Sequence, residues 1–126
     1  MIAPQKIENI LKLNKMISQV AIYGDKQKYL VALITLNPEE LTKFAEAHGL
    51  ETKDYSALTK HPKVQELVRD IVKEKNSHLA SYETVKNFTV LPHDFTIESG
   101  ELTPSLKVKR RFVGEKYGDA VKELYH

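Results

Sequence analysis

The stretch "ISQVAIYGDKQKYLVALITLN", Ile17 to Asn37, decides the fold. Val20 and Ile22 alternate with Ala21 and Tyr23, and "YLVALITL" is rich in β-formers. Gly24, Asp25, Lys26 and Gln27 between the two runs make a four-residue turn, so the stretch predicts a β-hairpin with strands at about 19–23 and 28–36. The second strand is apolar at successive positions. It must therefore lie centrally in a sheet or be covered on both faces.

Upstream, Pro4 suits the first turn of a helix, and Ile7, Ile10 and Leu11 recur at helical spacing, which predicts a helix over 4–13. Downstream, Asn37-Pro38-Glu39-Glu40 is a helix start: an amide to cap free N–H groups, proline in the first position, and two acids at the positive end of the dipole. That helix runs through Leu41, Phe44, Ala45 and His48 and stops at Gly49. A polar stretch containing "DYSALTKH" leads to Pro62, where the longest helix begins, about 62–79, capped by His61 and striped by Val64, Leu67, Val68, Ile71 and Val72. "VKNFTVL", 85–91, reads as a strand, "FTI", 95–97, as a short one, and "RRFVGEKYGDAVKELY" as a closing helix. The fold class is α+β: a small sheet with a β-hairpin and helices packed on it, in one domain over 1–126.

The 126 residues are 41% apolar and carry 19 basic against 17 acidic side chains, a net charge of +2. That balance argues against a nucleic-acid partner, which usually selects a clear basic excess. With no cysteine there is neither a disulfide framework nor a thiolate metal site, and cytoplasm is the default compartment. Scattered glycines and histidines leave no phosphate-binding loop, nucleophile elbow or metal-ligand spacing, and no metal residues are assigned. His48 reads as a packed or rim histidine. Glu98 and Glu101 have the spacing of an acid–base pair, but carboxylates on a turn are usually solvated.

One segment stands out. In "GELTPSLKVKRR", Gly100 to Arg111, four of the last six residues are cationic. Extended, the segment puts Lys107, Lys109 and Arg111 on one face; with a helix starting at Val108, Lys107 stands at its entrance. Cations at a helix N-terminus oppose the dipole. Solubility is the plain explanation of such a run. Against it, Pro104 stiffens the approach, and Thr103 and Ser105 add hydroxyls, an arrangement suited to one phosphate or carboxylate oxygen met by one lysine.

"LTPSLKVKRR" resembles the last motif of the AMP-forming adenylating enzymes, commonly Pro-Lys-Thr-x-Ser-Gly-Lys-hydrophobic-x-Arg, with Thr103, Ser105, Lys107, Val108 and Arg110 in the matching places. Leu106 stands where most of that superfamily has glycine and Leu102 where it has lysine, both as in the long-chain fatty-acid branch. "IAPQKIEN", Ile2 to Asn9, is similar to that branch's segment after the interdomain hinge, and the stretch from Ile17 to Asn37 looks like the branch's next hairpin. The resemblance implies the small C-terminal lid domain of a long-chain fatty-acid–CoA ligase, with the large N-terminal domain absent and Met1 in place of the usual asparagine, as in an excised piece. It implies ATP, Mg2+ and coenzyme A as cofactors of the whole enzyme, none bound by this domain alone. The implied partners are its own N-terminal domain, a fatty acid, ATP and coenzyme A, with peripheral membrane contact open to the whole enzyme. By position Lys107 is the catalytic, adenylation lysine, and Thr103, Ser105 and Arg110 lie near the ATP and acyl adenylate. Lys109 and Arg111 read as solvated. The competing reading is a free-standing module that binds RNA or acidic lipid through residues 107–116.

Overall fold

The computed structural model describes residues 3–24 and 26–125. Its centre is the strand β2, Leu30–Leu36, every residue of which is buried. Side chains alternate across a strand, so burial on both faces needs two covering layers. Both are present. Leu30, Ala32, Ile34 and Leu36 join one cluster; Val31 and Leu33 join another on the opposite face.

The sheet has the order β1-β2-β3, with β1 at Ile17–Tyr23 and β3 at Val85–Val90. β1 runs antiparallel to β2, completing the predicted hairpin, and Gln27 N–H donates to the Gly24 carbonyl in the connection. Asp25, inside the predicted turn, lies outside the described residues. β3 lies parallel to β2, which requires a crossover.

The crossover consists of α2 (Pro38–Ala47), α3 (Tyr55–Lys60) and α4 (Pro62–Asn76), which with α1 (Pro4–Leu11) form the first layer. The Asn37 cap of α2 is built as its sequence requires, Oδ1 accepting from Glu39 N at 2.9 Å and Glu40 N at 3.2 Å. His61 Nδ1 caps α4 by accepting from Lys63 N at 3.1 Å. α4 ends at Asn76, three residues before the expected Leu79. The polar stretch before it is not a loop throughout. Asp54 caps Ala57 N and starts α3, too short to show a periodic stripe. Tyr55 on α3 reaches back to the sheet: its hydroxyl accepts from Leu36 N and donates to Leu36 O.

The second layer is the stretch after β3, with α5 at Arg110–Lys116 and α6 at Gly118–Glu123. Two expectations change here. "FTI" is not a strand, because carboxylates take the amides a ladder would use: Phe95 N donates to Asp94 Oδ1 and Thr96 N to Glu101 Oε1. Phe95 instead plugs the second core. The closing helix is two helices. Tyr117 leaves the helical region, with φ −109° and ψ 29°, and its hydroxyl donates to the buried Glu101 carboxylate.

Leu33 measures the weight of the second cluster. Leu33→Ala is expected to lower the unfolding free energy by about 2–5 kcal/mol in urea titration, because its side chain is fully buried there and truncation leaves a cavity.

Candidate functional site

Lys107 is carried on a tight loop between β3 and α5. Leu102 and Val108 form an isolated antiparallel bridge that closes the loop at its base. Inside it Thr103 N donates to Lys107 O at 2.8 Å, and Leu106 N to Thr103 O at 2.8 Å. The two hydroxyls in the segment serve the turn. Thr103 Oγ1 accepts from Lys107 N at 3.1 Å and lies 3.0 Å from Ser105 Oγ. Lys107, Pro104 and Ser105 are exposed at its tip.

Leu106 has φ 66°, in the left-handed region. A glycine, the residue at this place in the pattern that the segment resembles, would meet that backbone demand without strain. Leucine adopts the same conformation while the residue is 57% exposed, so little packing offsets the strain.

The loop's two ends are held by carboxylates. After it, Arg110 forms a fork on Glu8 of α1: Nη2 donates to Oε1 at 2.6 Å and Oε2 at 2.7 Å, and Nε to Oε2 at 3.2 Å. Glu8 Oε2 also accepts from Ile22 N of β1 at 2.9 Å, and Tyr23 Oη donates to the Arg110 carbonyl at 2.7 Å. A side chain on Gly114 would crowd the Tyr23 ring, 3.0 Å from its Cβ position, so glycine suits the close approach of α5 to β1. Before the loop, Glu101 is 2% exposed and accepts from Ser99, Lys116, Tyr117 and Thr96 N. It is not half of a solvated acid–base pair; Glu98, its supposed companion, is exposed.

The cationic run is thereby sorted. Arg110 and Lys116 are tied to buried carboxylates, and Arg111 meets Glu115 at 3.5 Å on the surface. Among the described residues Lys107 and Lys109 make no ion pair. The helix starts at Arg110, so Lys107 stands before its entrance. Lys107 borders a groove of about 330 Å³ whose lining includes Gln5, Glu8 and Asn9 of α1, Lys12 just after it, Gln19 of β1, Leu106 and Arg110. Among the described residues no cluster of His, Asp or Glu is arranged to hold a metal, and no helix is long and apolar enough to cross a membrane.

Glu8, Tyr23, Glu101 and Tyr117 gain roles that the sequence did not reveal. Glu8 carried a signal: it sits between Ile7 and Leu11 inside an apolar stripe, where a carboxylate needs a cation. Which cation could not be read, since 102 positions separate Glu8 from Arg110.

This geometry makes two outcomes testable. Leu106→Gly is expected to gain about 0.5–1 kcal/mol in denaturant unfolding, the relief of left-handed strain less the entropy of a glycine; Leu106→Ala, which keeps the Cβ, should give no such gain. For Glu101, burial raises the pKa, but the hydrogen bonds from Ser99, Tyr117, Lys116 and Thr96 N outweigh it and hold the carboxyl below the usual range. The stability it contributes is full above the unfolded glutamate pKa, about 4.3, and is lost as pH falls through the lower folded value. Thermal melts from pH 7 down to pH 3 should therefore fall less steeply for Glu101→Gln than for the parent.

The match to known proteins covers the whole chain. The family model of the AMP-binding enzyme C-terminal domain matches residues 1–126. The chain is 33% identical to the long-chain-fatty-acid–CoA ligase FadD15 of Mycobacterium tuberculosis, over 99% of this chain and 21% of that protein. It is 34% identical to long-chain-fatty-acid–CoA ligase 5 of Mus musculus, over 98% of this chain and 18% of that protein. It thus spans about a fifth of the length of these curated relatives. Among solved structures it is similar to the adenylation domain of a carboxylate reductase from Mycobacterium chelonae, with TM-score 0.74 and 28% identity over 98% of this chain and 18% of that one. A second likeness is the A-PCP didomain of the carboxylic acid reductase from Segniliparus rugosus, in complex with AMP, with TM-score 0.72 and 27% identity over 98% of this chain and 16% of that one. A chain matched from end to end by that family model, with this fold and these relatives, belongs to the AMP-binding enzyme C-terminal domain family and is related to the long-chain-fatty-acid–CoA ligases.

Proposed function

We propose that this chain is the C-terminal domain of an AMP-forming long-chain fatty-acid–CoA ligase, and that it supplies Lys107 to the adenylation step. The observation that carries the reading is Lys107 itself: an exposed ammonium with no ion-pair partner among the described residues, on a loop pinned at both ends. In the reaction a fatty-acid carboxylate oxygen attacks the α-phosphorus of ATP and pyrophosphate leaves, giving the acyl adenylate. The thiol of coenzyme A then attacks the acyl carbon and AMP leaves. Negative charge moves from the carboxylate onto the phosphoryl oxygens in the first step. A compact, preplaced ammonium stabilises that shift at little reorganisation cost.

The remaining roles belong to the same reading. ATP, Mg2+ and coenzyme A are used by the whole enzyme. Mg2+ would arrive on the nucleotide and be held by residues outside this chain. The partner that completes the site is the enzyme's own N-terminal domain, over which this domain closes and then rotates for thioester formation. Thr103 and Ser105 shape the turn that presents Lys107 near the nucleotide, and Arg110 anchors its exit. The relatives' function supports this over an RNA- or lipid-binding module. The pairing of Arg110 and Lys116 with buried carboxylates also takes two of the five cations of the 107–116 segment away from a polyanion.

The test is Lys107→Ala in the full-length enzyme, with the half-reactions measured separately. Adenylate formation should fall about 10²–10³-fold, while thioester formation from supplied acyl adenylate stays within a few-fold of the parent. Equal loss of both, or loss of neither, contradicts the assignment. The domain by itself should turn over neither substrate.

A further inference from the structure

We infer that Glu8 is a positioning residue for Lys107, acting across the fold through Arg110; the inference rests on the proposed role of Lys107. Three features of the contact support it. The first is its completeness. The Glu8 side chain is only 8% exposed, and its two oxygens accept three bonds from the guanidinium and one from Ile22 N. A bidentate arginine–carboxylate pair restricts both position and angle. The second is that Arg110 is held twice, by its side chain on Glu8 and by its carbonyl under the Tyr23 hydroxyl. Glu8 and Tyr23 come from different elements, α1 and β1, and Ile22, bonded to the same carboxylate, is the neighbour of Tyr23.

The third feature is how little chain separates the clamp from the lysine. Only Val108 and Lys109 intervene, and both are tied: Val108 in the bridge to Leu102, and Lys109 N to the Glu101 carbonyl at 2.9 Å. A shift of Arg110 therefore has no slack segment in which to dissipate before it reaches Lys107. Reacting geometries tolerate little of this; a displacement of about 1 Å can cost about 10²-fold in rate.

The carboxylate is required chemically. All four bonds to Glu8 come from N–H donors. Glutamine at this position would offer one oxygen and turn an NH2 toward donors, breaking the fork without changing the size of the side chain. The effect is expected on the adenylation rate constant and not on substrate affinity, because Glu8 reaches the reacting atoms only through the loop.

The experiment uses the full-length enzyme with Glu8→Gln, Arg110→Gln, the double variant, Lys107→Ala, and Asp54→Ala as a remote control that removes the α3 cap. Each single clamp variant should lose about 10–100-fold in adenylation kcat, with KM for fatty acid and ATP within about twofold and thioester formation from supplied acyl adenylate unchanged. The double variant should be no slower than the slower single, since both residues act through one contact. If Glu8→Gln does not fold, Glu8→Asp, which keeps the charge and draws it back by one methylene, should show the same kcat loss. The inference is overturned if Lys107→Ala collapses adenylation while Glu8→Gln stays within twofold of the parent. It is also overturned if the two single losses multiply, or if Asp54→Ala, at a matched fall in Tm, slows adenylation as much. If Lys107→Ala leaves adenylation intact, the role of Lys107 itself fails, and the two failures are told apart by that variant alone.

Discussion

The burial of β2 on both faces dictates what the remainder of the chain must do. A strand apolar at nearly every position cannot lie at a solvated surface, so the chain must provide one layer for Leu30, Ala32, Ile34 and Leu36 and another for Val31 and Leu33. α1 and the crossover helices supply the first. The segment 91–125, with little regular structure before Arg110, supplies the second through Leu91, Phe95, Leu102, Val113 and Leu124. The loop that carries Lys107 grows out of this second layer. Its base residue Leu102 is itself a core residue, so the loop inherits the rigidity of the sheet it covers.

Electrostatics then decides which charges in a crowded cationic run remain available. Glu8 and Glu101 are both buried, and a buried carboxylate left without partners is costly. Each captures one cation: Glu8 takes Arg110, and Glu101 takes Lys116 together with the Tyr117 hydroxyl. The same pairs that satisfy the carboxylates fix the two stems of the loop. Charge neutralisation inside the fold and presentation of Lys107 outside it are thus one arrangement. The dipole objection to cations at a helix start is met in the same way for Arg110, whose charge is neutralised by a partner from another helix.

Leu106 shows where the backbone stores strain. The backbone at this place is left-handed at φ 66°, and glycine is the residue that adopts it without strain. A leucine there keeps the turn because the surrounding bonds over-determine it: Leu106 N to Thr103 O, Thr103 N to Lys107 O, and the Leu102–Val108 bridge. Strain persists where a hydrogen-bonded frame holds it.

Local chemistry was legible from the residues alone. The hairpin, the central place of β2, the Asn37 and His61 caps and the long helix from Pro62 all rest on short-range rules, alternation, capping and proline geometry, and the structure obeys them. The place of Lys107 just before a helix entrance was legible too, from the residues around it. What tertiary structure decided depends on partners far apart in the chain. "FTI" lost its strand because Asp94 and Glu101 took its amides, and the closing helix broke where Tyr117 met Glu101. Arg110 became an anchor because folding brought Glu8 to it. A charged side chain carries no local preference that names its partner, so the cationic run could be read from the chain alone, while its division into paired and exposed charges came from packing that brought Glu8 to Arg110 and Glu101 to Lys116.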